Sequence, residues 1–256
     1  MKKPIVSIVG PAIKTQFWLD FYNMIADTNK TSFEIIFAGH VAPDFDLPPN
    51  FIWLETKHYD NGDGLKPAAC VELAIRKALR PGHVRGKYIM WVADDCYIPP
   101  GVIDKQLAEL KDKKNKGKRL MVGTGFAGSQ KIGTEPGNSL RLVFHNSHKG
   151  SPVMPIFPMM LKKHIKDIGS LDERFEAIYW DLDMTMRHYS LGGELIQLDV
   201  NIYEYGGHGL WHKFKGDRKF LDSLWEGKQN VEKRSSSVVP YDKNYFDNKH
   251  IIEHKG

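Results

Sequence analysis

The most informative segment of the sequence is Tyr88-Ile89-Met90-Trp91-Val92-Ala93-Asp94-Asp95-Cys96-Tyr97-Ile98-Pro99-Pro100-Gly101. Its first residues are apolar or aromatic, which predicts a strand covered on both faces, and Pro-Pro-Gly cannot continue that strand. Asp94 and Asp95 are therefore expected at the carboxyl end of a buried strand. Ligands of open α/β sheets bind beyond such ends, and carboxylates there suit Mg²⁺ or Mn²⁺ with a phosphate group. The alternative is that both acids only begin a turn or cap a helix.

Predicted strands and helices alternate before this stretch. Apolar runs predict strands over residues 5–9, 33–38 and 50–54, and helical spacing predicts helices over 16–26 and 67–79. Such alternation is typical of an α/β fold with a mostly parallel, doubly wound, Rossmann-like sheet flanked by helices.

The chain after this stretch has a less regular pattern. A strand is predicted over 119–123, followed by a glycine-rich irregular stretch up to Gly137. Three prolines within 152–158 favour an edge strand or an extended loop over 153–160 rather than a central strand. A helix is expected over 159–168. The polar residues beyond about 211 are interpreted as a C-terminal tail or lid.

Composition limits the class of protein. The chain has 256 residues, a formal net charge of +5 and two cysteines, Cys70 and Cys96, without paired spacing. A disulfide framework or zinc finger is therefore not expected, and with no signal peptide or transmembrane segment in the sequence the expected location is the cytoplasm. The basic run over 111–119 is interpreted as a solvated helix end, with a patch for an acidic acceptor, such as nucleic acid or an anionic glycan, as the alternative.

A second group of carboxylates lies within residues 172–183. The apolar residues that follow, together with Gly192-Gly193, predict a helix that begins at Asp181 as an acidic N-cap, with Asp183 in its first turn. Asp181 lies among aromatic residues, and a partly desolvated carboxylate suits a general base that takes a proton from an acceptor hydroxyl. The favourable interaction of an acid with the helix dipole is sufficient to explain Asp183.

Residues 88–95 with Pro99-Pro100, and residues 168–187 with Gly192-Gly193, together resemble the family 2 inverting glycosyltransferases of GT-A fold. The resemblance covers roughly residues 4–212. It implies a glycosyltransferase domain over 1–212, with a nucleotide-binding half over 1–101 and an acceptor-binding half over 102–212. Residues 213–256 are then a C-terminal extension that packs on this domain.

The resemblance also implies roles for individual residues. Asp95 corresponds to the metal ligand, with Asp94 beside it contacting ribose or metal, and Asp181 corresponds to the catalytic base. His208, or alternatively His212, corresponds to a late histidine that completes the metal site in some members.

Three further residues correspond to positions near the nucleotide. Pro11 and Ala12 follow the first strand, where the backbone commonly touches the base, and Lys66 precedes the helix over 67–79. Three features depart from the family pattern. Ala93 replaces the first acid of the DxD motif, and Trp180 replaces the acidic residue that frequently precedes the catalytic base. Gly39-His40 lacks the aspartate that often reads uracil, so either Asp44, Asp60 or Asp63 takes its place or the base of the donor is not uracil.

The expected function is transfer of a sugar, with inversion, from a nucleotide-diphosphate donor to a glycan or another hydroxyl acceptor, with Mn²⁺ or Mg²⁺ as cofactor. One alternative is a nucleotidyltransferase, although Gly10-Pro11-Ala12 is a poor phosphate loop. Another is a catalytically inactive sugar-binding or nucleic-acid-binding module on the same fold; nucleic acid is a disfavoured partner because no aromatic residues interleave with the basic run.

Overall fold

The computed structural model describes residues 3–80, 86–131, 137–138, 152–205, 214–225 and 234–256. Within these residues the chain forms one nine-stranded sheet with six α-helices. The strands are β1 Val6–Pro11, β2 Phe33–Gly39, β3 Phe51–Glu55, β4 Tyr88–Trp91, β5 Cys96–Tyr97, β6 Leu120–Gln130, β7 Ile156–Leu161, β8 Glu194–Tyr205 and β9 Ile252–Lys255. The helices are α1 Trp18–Ala26, α2 Pro67–Leu79, α3 Val102–Lys111, α4 Lys162–Ile168, α5 Trp180–Ser190 and α6 Lys215–Leu224.

The sheet has a parallel part and a mixed part. The strand order is β5-β8-β6-β7-β4-β1-β2-β3-β9, and β4, β1, β2 and β3 run parallel to one another. Each of these four strands is almost wholly buried, as expected for strands with helices on both faces. The carboxyl ends of β1, β2 and β4 therefore meet at one edge of the sheet.

Apolar layers cover both faces of the sheet. One layer holds α2, α4, α5 and α6, with buried residues such as Ile75 and Met184, and the opposite layer holds α1 and α3, with buried residues such as Trp18 and Leu107. These layers confirm the predicted α/β fold with helices on both sides of a central sheet. None of the helices in the described part of the chain is long and apolar enough to cross a membrane.

Strand β7 corrects the prediction for residues 153–160. It lies in the interior of the sheet, antiparallel to both β4 and β6, although it contains Pro158. A register shift between Val122 and Thr124 and a left-handed backbone at Phe157 (φ 47°) break the regular ladder beside the proline. The buried Gln106 amide donates to the carbonyls of Val122 (3.1 Å) and Phe157 (2.8 Å), so this irregularity leaves neither oxygen unpaired.

Two helix starts and one strand end also differ from the predictions. Helix α4 begins at Lys162, because the residues before it belong to β7. The N-cap of α5 is Tyr179, in the left-handed region (φ 62°), and Asp181 is the second residue of the helix, so Asp181 is not the cap. Strand β6 continues to Gln130, because register shifts against β8 accommodate its glycines.

The C-terminal residues extend the sheet and hold the α5 region. Strand β9 pairs antiparallel with β3 at the sheet edge. On α6, the buried Asp217 carboxylate accepts hydrogen bonds from the backbone N–H groups of Glu176, Ala177 and Ile178, at 2.8 to 3.2 Å. These bonds fix the segment that leads into α5.

Candidate functional site

A cavity of about 340 Å³ lies at the carboxyl ends of β1, β2 and β4. This volume lies within the range of small-molecule sites. The position is that at which open α/β sheets bind their ligands. The lining residues come from the parallel strand ends and the segments that surround them: Pro11, Ala12, Ile13, Lys14, Ala38, Gly39, His40, Tyr59, Leu65, Pro67, Cys70, Ala93, Asp94, Asp95, Ile178 and Glu204.

The floor of the cavity depends on a close backbone approach at Gly39. The Ala12 N–H donates to the Ala38 carbonyl (2.9 Å), which brings the chain after β1 against the end of β2. A Cβ atom added at Gly39 would lie 1.8 Å from the Ala12 carbonyl oxygen, far inside van der Waals contact. Only glycine therefore allows this arrangement.

Replacing Gly39 by alanine is expected to destabilise the protein by about 1–3 kcal/mol and to weaken ligand binding in the cavity, because the backbone must move. Urea unfolding measures the first effect. The control is Gly216→Ala in α6, where an added Cβ meets no atom within 4 Å and should leave stability unchanged or slightly raised. Equal stability of Gly39→Ala and wild type would contradict the close approach to Ala12 as the reason for glycine at residue 39.

Asp94 links the loop after β1 to the end of β4. Its Oδ2 accepts hydrogen bonds from the backbone N–H groups of Ile13 (2.8 Å) and Lys14 (2.6 Å) and from the Trp18 indole N–H (3.0 Å). Burial raises the pKa of Asp94 to about 6, although these three donors oppose the rise. Asp94 lines the cavity, and its contacts within the protein give it a structural task there.

Asp95 is paired with Lys14. The Lys14 Nζ contacts Asp95 Oδ2 in an ion pair, and the Cys96 thiol lies 3.8 Å from Asp95 Oδ1. Burial alone would lower the pKa of Lys14, but the bond to Asp95 and the charges of Asp94, Asp95 and Glu204 outweigh burial and raise it. Lys14 is therefore a cation at neutral pH. No sequence motif predicted this lysine, because a single lysine after a strand has no distinctive pattern.

These contacts determine whether the described residues can bind the predicted metal ion. Both oxygens of Asp95 already have partners within the protein, and Asp94 Oδ2 accepts three N–H groups. No three His, Cys, Asp or Glu side chains come together as a metal site in the ranges that the structure describes. His208 and His212 lie outside those ranges. The described residues alone therefore do not complete a site for a divalent metal ion.

Two of the three residues predicted near the nucleotide line the cavity, and the third does not. Pro11 and Ala12 line the cavity. Lys66 is the N-cap residue of α2 and pairs with Glu176, and it does not line the cavity, although its neighbours Leu65 and Pro67 do. Nucleotide binding by all three residues stays a prediction.

The predicted base, Asp181, lies in the first turn of α5, three residues beyond the cavity-lining Ile178. Burial raises its pKa above the ordinary value of 3.8, and the Leu182 N–H, which donates to its Oδ1 (2.8 Å), opposes that rise. Asp183 has a structural role. Its carboxylate is fully buried and contacts Arg187, Arg234 and the Trp225 indole.

An aromatic group borders the cavity beyond β2 and β3. His40 and Tyr59 line it, the His40 and His58 ring centroids are 4.2 Å apart, and His58 stacks on Tyr59 at 4.7 Å. None of the three acids considered for reading uracil lines the cavity, and Asp63 pairs with Lys57 at the surface. Sequence reasoning missed His40 and Tyr59, since isolated aromatic residues carry no spacing signal.

Comparison with known proteins identifies the fold. No protein-family model matches the sequence, and no curated protein matches it by sequence. Among solved structures, TarS 1–349 from S. aureus matches with a TM-score of 0.57 and 14% identity, covering 90% of this chain and 67% of TarS 1–349. GalNAc-T7 with UDP, GalNAc and Mn²⁺ matches with a TM-score of 0.61 and 10% identity, covering 89% of this chain and 49% of GalNAc-T7.

The chain has the GT-A fold. Identities of 10% and 14% show a shared fold and do not show a shared activity. In a further match, to a longer TarS structure, the chain spans 41% of the length of that protein. Two other TarS structures that match contain UDP and UDP-GlcNAc.

Proposed function

We propose that this protein transfers a sugar from a nucleotide-diphosphate donor to a hydroxyl acceptor. The observation that carries the proposal is the cavity at the carboxyl ends of β1, β2 and β4, lined by Pro11, Ala12 and the Asp94-Asp95 pair. Neighbours of the same fold have UDP or UDP-GlcNAc bound, which supports a nucleotide sugar as the ligand of this cavity.

The chemistry that follows is a single displacement with inversion. Asp181 takes the proton of the acceptor hydroxyl, and the acceptor oxygen forms a bond to the anomeric carbon of the donor sugar. The bond from that carbon to the diphosphate oxygen breaks, and its electron pair leaves with the nucleoside diphosphate. The raised pKa of Asp181 makes its carboxylate a stronger base than a fully solvated aspartate.

No step of this mechanism uses a metal ion. A divalent ion, where a GT-A enzyme uses one, neutralises the departing diphosphate. Here the described part of the chain offers Asp95 with both oxygens engaged and no further metal-ligand cluster, so no step is assigned to a metal.

A binding module that lacks transfer activity is the second candidate. The absence of an acid at Ala93 and the structural contacts of Asp94 favour it. This candidate predicts that a nucleotide sugar binds and is never cleaved, whereas the transferase releases the nucleoside diphosphate.

The experiment that tests donor binding is a thermal-shift panel with four nucleoside diphosphates. Ala93 lines the cavity and is only partly buried, so Ala93→Leu should fill the site, and Ala108→Leu makes the same change on the exposed face of α3. At a hundred times Kd, a ligand should stabilise wild type and Ala108→Leu by about 2.7 kcal/mol, which is several degrees in Tm. Ala93→Leu should show no shift. A shift retained in Ala93→Leu would place the binding site elsewhere.

A further inference from the structure

The cavity contains a cation supplied by the protein. Among the residues that the structure describes, Lys14 is the one lysine or arginine that lines the cavity. Its side chain is one-third exposed and its partner Asp95 is less exposed, at 15%. Lys14 thus pairs with a mostly buried carboxylate and also lines the cavity.

The backbone that carries Lys14 is fixed before any ligand binds. The N–H groups of Ile13 and Lys14 donate to Asp94, and the Ala12 N–H donates to the end of β2. Asp95 then holds the Lys14 side chain. A charge held in place in this way needs little reorganisation when an anion arrives, which is the condition for effective electrostatic stabilisation.

The chemistry of the ammonium group suits a phosphate. A lysine has three N–H donors, so a bond to Asp95 leaves two donors for the oxygens of other anions. Glu204 and Asp94 line the same cavity, and their charges also act on Lys14. Charge-assisted bonds from lysine to phosphate are among the stronger hydrogen bonds in proteins. The carboxylate that a metal ion would need is meanwhile occupied by this same lysine.

We infer that Lys14, held by Asp95, binds the diphosphate of the nucleotide sugar and takes the place of a divalent metal ion at this site. The inference rests on the proposed function, because it assumes a nucleotide-diphosphate ligand in the cavity. Lys14 then stabilises the charge that develops on the diphosphate when its bond to the sugar breaks. Asp95 acts as a positioning residue and does not bind a metal.

The test measures binding of the four nucleoside diphosphates by titration calorimetry, with EDTA and separately with Mn²⁺. The expected result is that the same nucleotide binds wild type with equal affinity, within about twofold, in both conditions. Lys14→Gln should weaken binding at least tenfold in EDTA, and Lys14→Arg should retain most of it. Lys57→Gln removes an equal charge from an exposed lysine paired with Asp63, outside the cavity, and should bind like wild type.

The Asp95→Asn variant distinguishes between Asp95 as a positioning residue and Asp95 as a metal ligand. Loss of a metal ligand should weaken nucleotide binding only when Mn²⁺ is present, whereas loss of the residue that positions Lys14 should weaken it with or without Mn²⁺. We expect Asp95→Asn to weaken binding by the same factor in EDTA and in Mn²⁺, and by less than Lys14→Gln, because Lys14 keeps its charge.

The results that would overturn the inference differ in what they say about function. Wild-type affinity of Lys14→Gln in EDTA leaves the proposed function intact and removes the role assigned to Lys14. Binding that requires Mn²⁺ in wild type leaves the proposed function intact and shows that Lys14 does not replace the metal. Absence of binding of every nucleoside diphosphate, with or without Mn²⁺, contradicts the inference together with the proposed function.

Discussion

Replacing Asp181 by asparagine is expected to lower sugar transfer by about a hundredfold to ten-thousandfold, the usual contribution of a general base. Asparagine has nearly the same shape but cannot accept the acceptor proton. Nucleoside diphosphate binding should change by less than about twofold, because Asp181 does not line the donor cavity. The control is Asp199→Asn on β8, an exposed aspartate for which we expect wild-type transfer.

The pH dependence of the transfer rate is a second test of Asp181 as the general base. Transfer requires the ionised carboxylate, so the rate should fall as the pH decreases through the pKa of Asp181. Because burial raises that pKa above 3.8, the fall should occur at a higher pH than for an exposed aspartate. Transfer by Asp181→Asn at the wild-type rate would remove Asp181 from the mechanism.

The second large effect concerns stability. Replacing Arg234 by alanine is expected to lower the free energy of unfolding by about 3 kcal/mol, because it removes two charge-assisted hydrogen bonds to buried carboxylates. Asp183 then keeps Arg187 as its charged partner, and Asp172 keeps Arg174. Arg234 Nε contacts Asp183 Oδ1 at 2.9 Å, and Arg234 Nη2 contacts Asp172 Oδ2 at 2.6 Å. Both carboxylates are fully buried. Urea unfolding followed by circular dichroism measures the loss.

The matched comparison is Lys163→Ala, which removes an exposed ion pair with Asp167 on α4. Exposed pairs of this kind contribute less than about 1 kcal/mol, so this variant should unfold close to wild type. If Arg234→Ala were equally stable, the buried ion pairs would not be what ties the C-terminal residues to α5.

The parallel part of the fold could be predicted from the sequence. Strands β1, β2, β3 and β4 are predominantly apolar, and α2 has the spacing of a helix with a broad buried face. Local pattern is sufficient there because these strands are buried on both faces. The same pattern placed Asp94 and Asp95 at the end of β4.

The rest of the sheet could not be predicted from local sequence, because its strand pairing depends on contacts between residues far apart in the chain. Strand β7 contains Pro158, which local reasoning assigns to an edge, and only the bulge beside Val122 and the Gln106 amide explain its interior place. Strand β9 is short and largely exposed, so its sequence has no apolar pattern, and its pairing with β3 joins residues far apart in the chain. Such pairings are not visible in local periodicity.

The site was predictable in its position and less so in its contacts. The sequence pattern indicated which strand ends carry carboxylates, but not that Asp94 would accept three N–H groups or that Asp95 would pair with Lys14. Those contacts arise because the loop after β1 lies against the end of β4, eighty residues later in the chain. A lysine at this point of the sequence gives no signal of its own.

Sugar transfer itself is tested most directly by product analysis. Wild type and Asp181→Asn are incubated with a panel of nucleotide-diphosphate sugars, with and without hydroxyl acceptors, and the products are separated by mass spectrometry. We predict that wild type releases a nucleoside diphosphate from one donor series, with the sugar joined to an acceptor or to water, and that Asp181→Asn does not. Release of a nucleoside monophosphate with a sugar phosphate, or no cleavage of any donor, would contradict sugar transfer.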